Sequence, residues 1–227
     1  MNQRIAQANG GQPPVMEDIA SSLHRCAIIA VLQVSDPAVA VEVAGVLLRE
    51  GIMCAELTYR ASGTSEAIYA VRSQLPEMIV GAGTVLTREQ SRCALDAGAQ
   101  FVVSPGTNPL VVEYVMSRQV LMVPGVATPS EIEANLVRGL RTLKFFPAEV
   151  LGGTRWLTAV RGPFPTVRFI PTGGITADNL TEYLKLPNVL ACAGTWIASR
   201  ASIETGDLDR IRVEARNAAA LVRARPE

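Results

Sequence analysis

Lys144 stands inside "TLKFFPAE" (142–149), in a run that otherwise reads as a buried strand. A lysine is almost never fully buried unless it is paired, because desolvating an ammonium costs far more than its carbon stem gains. Either the amine escapes to water at the strand's end, or the chain keeps it there for chemistry. A second strand, in "AELTYR" (55–60), delivers Glu56 and, four residues on, Arg60. Together these types suggest one reaction class. A free amine attacks a carbonyl carbon, and the protonated imine that results is an electron sink beside which a C–C bond breaks or forms. An ordinary lysine, with a pKa of about 10.4, is free amine only about one part in a thousand at neutral pH. Apolar neighbours such as Phe145 and Phe146, and a nearby guanidinium, both favour the uncharged form. Glu56 would carry protons, and Arg60 with Thr84 would anchor a keto-acid carboxylate.

Each residue taken singly also has an ordinary reading. Glu56 or Arg60 at a strand end is commonly a solvated or paired surface charge. "GAGT" (81–84) is neither G-x-G-x-x-G nor a Walker sequence, so alone it is a tight turn. "TGGIT" (172–176) is equally a strand-to-helix turn or a phosphate cradle, with the N–H groups of Gly173 and Gly174 exposed at a helix N-terminus. The only histidine, His24, falls in the opening helix and reads as structural, which argues against a Ser-His-Asp triad and a His-ligated metal.

Something must bring these residues together. Short apolar runs alternate with helical stretches eight times: 27–32, 53–58, 78–83, 101–104, 120–125, 142–146, 167–173 and 189–195. The intervening segments carry helix start and stop signals, such as Ser35 or Asp36 with Pro37 at one end and Gly51 at the other. Strands apolar on both faces and separated by helices form a parallel sheet covered by helices. Eight such units in this length give a (β/α)8 TIM barrel, here with an extra N-terminal helix, "PPVMEDIASSLHRC", closing its bottom. The doubly wound dinucleotide alternative needs a glycine fingerprint after its first strand, where "VLQVSDP" has none. In a barrel, chemistry sits at the C-terminal strand ends. Strand alternation gives Cys54, Glu56 and Thr58 one face of their strand and Lys144 with Phe146 one face of theirs, so Glu56 and Lys144 can both point into the mouth.

The 227 residues suit one domain, expected over 13–227 behind a loose leader over 1–12. Twenty-one basic and 21 acidic residues cancel, which speaks against nucleic acid or an anionic membrane as partner. The Arg-rich end, "DRIRVEARNAAALVRARPE", interleaves apolar residues and reads as a surface helix. Four scattered cysteines without a C-x-x-C pair, no apolar h-region and no membrane-length apolar run suit a reducing cytoplasm.

The motifs "GAGTVL", "SPG", "KFFPAE", "GPF", "VRFIPTGGI" and "GTW", in order from about residue 20 to about 215, resemble the 2-keto-3-deoxy-6-phosphogluconate (KDPG) and 4-hydroxy-2-oxoglutarate (KHG) aldolase family. The resemblance implies a trimeric class I aldolase of the Entner–Doudoroff pathway, working through a lysine imine without metal or other cofactor. Its substrate would be a phosphorylated keto acid, split into pyruvate and glyceraldehyde 3-phosphate. It further implies Lys144 as the imine lysine, Glu56 as general acid/base, Arg60 and Thr84 as carboxylate anchors, and Phe146 and Pro105 as walls of the pyruvyl site. Gly173, Gly174 and Thr195 would receive the phosphate. The chain departs from the family pattern at Ala193 and Thr195, in "AGTW" where Gly-Gly-Ser-Trp is expected, and at Tyr59, where leucine is usual. Within this class a related keto acid, 4-hydroxy-2-oxoglutarate or the galactonate analogue, is the alternative substrate, and oxaloacetate decarboxylation a side activity. Outside it stand a catalytically silent barrel that binds a phosphorylated ligand, and a pyridoxal phosphate enzyme, for which no partner of the pyridine nitrogen is evident.

Overall fold

The computed structural model describes residues 14–224; the leader expected over 1–12 lies outside them. Parallel strands β1 (Ile28–Leu32), β2 (Cys54–Thr58), β3 (Ile79–Gly83), β4 (Phe101–Val103) and β5 (Leu121–Val123) hydrogen-bond in order, and β9 (Cys192–Gly194) pairs with the free edge of β1. A second ladder joins β6 (Gly125–Val126), β7 (Thr142–Phe145) and β8 (Arg168–Pro171). The two ladders close into one barrel. β5 and β6 are halves of a single strand, interrupted where Pro124 has no N–H to offer. The Pro124 carbonyl still accepts from Lys144 N at 2.9 Å, so the seam is bonded. On the far side, single bridges link Phe169 to Val189 and Thr172 to Ala193. The expected strand at 120–125 is therefore split, and the one expected over 189–195 narrows to three ladder residues.

Helices α2 (Pro37–Arg49), α3 (Thr64–Gln74), α4 (Arg88–Asp96), α5 (Pro109–Ser117), α6 (Pro129–Val137), α7 (Gly153–Arg161) and α8 (Ala177–Leu184) follow successive strands. Local chemistry sets where they begin. Asp36 accepts from Ala38 N and Val39 N ahead of Pro37, and Thr87 and Thr128 form reciprocal capping boxes with Gln90 and Glu131. After β9 come α9 (Arg200–Glu204) and α10 (Leu208–Arg223). α10 lays Ile211, Ala215, Ala218 and Ala219 inward and its arginines outward, as the interleaved pattern requires. Among the described residues no helix is long and apolar enough to cross a membrane.

Two cores result. The larger lies between strands and helices; the smaller fills the barrel with Ile29, Val31, Cys54, Phe101, Val103, Leu121, Val123 and Ile170. α1 (Pro14–Cys26) drives Leu23 into the inner core, and His24 Nδ1 lies 3.1 Å from the Leu190 carbonyl oxygen. The helix thus plugs one end, and the histidine is structural. Phe145 turns the other way from the expectation: it does not desolvate Lys144 but stacks on Trp156 of α7, centroids 4.0 Å apart, because strand alternation sends it to the helix layer.

Phe101 can occupy the barrel axis only because Gly81 faces it. A Cβ built at residue 81 would lie 2.2 Å from the ring. Gly81→Ala should therefore cost about 1–3 kcal/mol through overpacking, read as a lowered midpoint in urea unfolding with an unchanged slope.

Candidate active site

Lys144 projects from the middle of β7 and Glu56 from β2, and both are buried, 5% and 1% exposed. Lys144 Nζ lies 3.9 Å from Glu56 Oε1, too long for a hydrogen bond, and 5.2 Å from the Phe146 ring centroid. Glu56 Oε1 accepts no hydrogen bond from any described residue. A buried carboxylate oxygen left open costs free energy unless another group fills it. Here it faces an amine across a 3.9 Å separation that no hydrogen bond closes.

The gap opens into a cavity of about 270 Å³ at the C-terminal strand ends, and every candidate side chain or turn lines it. Arg60 lies two residues beyond β2, exposed at the mouth. Thr84 follows β3 with φ of 54°, a left-handed conformation that is costly for a β-branched residue, about 1–3 kcal/mol, and characteristic of binding sites. Pro105 comes from the turn after β4, where Ser104 Oγ donates to the Gly106 carbonyl at 2.6 Å. Phe146 stands two residues after Lys144 and is joined to Pro147 by a cis peptide bond. Gly173 and Gly174 follow β8 at φ of +94° and +84°, which L side chains rarely adopt. Thr195 closes the ring from the end of β9. The ionisable groups around the cavity are Lys144, Arg60 and Glu56, a set that suits an anionic ligand.

Four lining residues were not anticipated: Val31, Thr172, Ile175 and Gly194. Thr172 lies just past β8, two residues after the inward Ile170, and that alternation is its signal in the sequence. Gly83 was legible only as part of a turn, yet a Cβ there would sit 1.9 Å from Glu56 Oε1. Its missing side chain is the space the carboxylate occupies.

The departures from the family pattern separate. Tyr59 does not line the cavity; its hydroxyl lies 2.7 Å from Ser65 Oγ of α3, and burial pushes the phenol pKa up. Ala193 packs in the inner core. Only Thr195 meets the cavity. Among the described residues no three His, Cys, Asp or Glu side chains are grouped to hold a metal ion.

Known proteins resemble this chain. The sequence model of the family described as KDPG and KHG aldolase matches residues 19–213. The chain belongs to the KDPG and KHG aldolase family. It is 45% identical over 196 residues to the 2-dehydro-3-deoxy-phosphogluconate aldolase of Treponema pallidum (strain Nichols), covering 86% of this chain and 93% of that one. It is 40% identical over 191 residues to the KHG/KDPG aldolase of Escherichia coli (strain K12), covering 84% and 90%. The crystal structure of KDPG aldolase from Legionella pneumophila, with pyruvate captured at low pH as a covalent carbinolamine intermediate, is similar at 33% identity. The TM-score is 0.83, over 87% of this chain and 96% of that one.

Proposed function

We propose that the chain is a class I aldolase that cleaves 2-keto-3-deoxy-6-phosphogluconate to pyruvate and glyceraldehyde 3-phosphate. The observation that carries this reading is the buried Lys144 amine facing Glu56 across 3.9 Å inside the strand-end cavity. The captured pyruvate carbinolamine in the Legionella relative supports the covalent route.

In this mechanism the free amine of Lys144 adds to the substrate's C2 carbonyl, giving a carbinolamine that loses water to form a protonated imine. Glu56 accepts the C4 hydroxyl proton. The C3–C4 bond then breaks, its electron pair flows to the imine nitrogen, and glyceraldehyde 3-phosphate leaves as the aldehyde. The enamine left on Lys144 is protonated at C3 by Glu56, and water releases pyruvate. The imine supplies the electron sink, so the proposal needs no further cofactor. Arg60 and Thr84 hold the pyruvyl carboxylate, Phe146 and Pro105 wall it, and the N–H groups of Gly173 and Gly174 with the Thr195 hydroxyl receive the phosphate.

The reading extends to residues 13–227 as one domain and to a homotrimer, both on the family resemblance, and to the cytoplasm, where the four free thiols fit. The test is cleavage of the purified substrate, with pyruvate and glyceraldehyde 3-phosphate each measured by a coupled assay. Stoichiometric release of both is expected. Release of pyruvate from 4-hydroxy-2-oxoglutarate at higher kcat/KM would replace the phosphorylated substrate by the other one in the name of the Escherichia coli relative, KHG.

A further inference from the structure

The segment after Lys144 is zipped to the glycine turn. Ala148 N donates to the Thr172 carbonyl at 2.9 Å, and Glu149 N to the Gly173 carbonyl at 3.1 Å. The Glu149 stem lies against Gly174, where a Cβ would fall 2.5 Å from its Cγ. The Glu149 carboxylate in turn accepts a hydrogen bond from the Tyr183 hydroxyl of α8. Tyr183 is 1% exposed, and burial together with that carboxylate pushes its phenol pKa up, so it stays a donor. Both Glu149 Oε1 and the Tyr183 hydroxyl also crowd Gly153, 2.8 Å from where its Cβ would stand. Neither Glu149 nor Tyr183 lines the cavity, and nothing in the mechanism above uses them.

We propose that Glu149 and Tyr183 are positioning residues that hold the Gly173–Gly174 turn in register with the Lys144 strand, and so set the enzyme's preference for a substrate with a phosphate at its far end. The carboxylate is anchored by a buried donor, the Tyr183 hydroxyl. The stem of Glu149 is therefore held over Gly174, and the turn's N–H groups keep a fixed distance from the imine. Releasing the anchor lets the turn move while β7 and Lys144 stay in the barrel ladder. The loss falls on the phosphate end and spares the pyruvate end.

The inference rests on the aldolase reading, and the test separates the two. Tyr183→Phe should raise KM for 2-keto-3-deoxy-6-phosphogluconate about tenfold, the effect of one hydrogen bond to a charged group, with kcat nearly unchanged. Exchange of the pyruvate methyl protons in D2O, which engages only the pyruvate end, should keep its parental rate. Glu149→Ala should behave alike, and Glu149→Gln, which keeps an acceptor for the phenol, should retain the parental KM. Glu149 is exposed, so its variants report even where Tyr183→Phe unfolds. Equal losses in cleavage and exchange, or an unchanged KM in Tyr183→Phe and Glu149→Ala, would overturn the proposal. Absence of pyruvate exchange in the parent protein would instead overturn the aldolase reading beneath it.

Discussion

Lys144→Ala will take up no mass when incubated with pyruvate and borohydride, whereas the parent protein will gain one reduced pyruvyl group on Lys144. Borohydride reduces an imine to a secondary amine that survives denaturation, so intact mass and peptide mapping report the bond itself. Turnover of the phosphorylated keto acid should fall by about 10⁴-fold or more, because nothing else in the cavity is a nucleophile that yields an electron sink. The other candidate groups, Glu56 and Arg60, cannot form an imine. The substitution also removes one partner of a buried pair and leaves Glu56 facing a void. Breaking such a pair costs about 3–5 kcal/mol where the remaining group stays charged. Lys144→Met, which keeps the stem and fills the space, removes the cavity part of that cost: it should be less destabilised than Lys144→Ala and equally inactive. A pyruvyl adduct that maps to Lys185, the protein's other lysine, would sink the assignment; that amine is exposed beside Glu182.

The second large effect belongs to Glu56. Glu56→Gln should lower kcat by about 10²–10⁴-fold, the usual contribution of a positioned general acid/base. It should also abolish exchange of the pyruvate methyl protons in D2O, followed by proton NMR, while borohydride still traps pyruvate on Lys144. That combination distinguishes proton transfer from nucleophilic attack. Exchange at the parental rate would remove Glu56 from the mechanism. Gly83→Ala supplies an independent check that leaves the carboxylate in place chemically. The added methyl would stand 1.9 Å from Oε1 and 2.5 Å from both Cδ and Cγ, so the side chain must move. A displacement of about 1 Å in a catalytic group costs on the order of 10²-fold, and Gly83→Ala should lie between parent and Glu56→Gln.

The reading of the barrel and the reading of its site drew on different information. Alternation of apolar strands with capped helices is a local pattern: the strands are buried on both faces and so mostly apolar, and helix starts such as those of α2, α4 and α6 carry an Asp or Thr cap. Those signals need no knowledge of the fold, and α2 begins at Pro37 behind the expected Asp36 cap. Lys144 and Glu56 were legible because a charge in such a run contradicts its surroundings. The sense of each strand's alternation is harder. Phe145 was read as walling the amine, but the pleat sends it to Trp156. The break at Pro124 was also missed, because a prolyl carbonyl can hold a ladder together from one side while the missing N–H divides it.

By itself the sequence determined the eightfold alternation, the plugging helix, the out-of-place lysine with its glutamate and arginine, and the family. Only the tertiary structure decided which surroundings those residues have. The 3.9 Å gap, the empty place at Gly83 that receives the Glu56 carboxylate, the strained Thr84 and the Glu149–Tyr183 brace all join residues from different βα units. Tyr59 and Thr195 look alike as departures from the motif, yet one turns to Ser65 and the other meets the cavity. The physical reason is that propensity and capping act within a few residues along the chain. Close approach, burial and hydrogen-bond satisfaction are set by which strands the closed barrel makes neighbours.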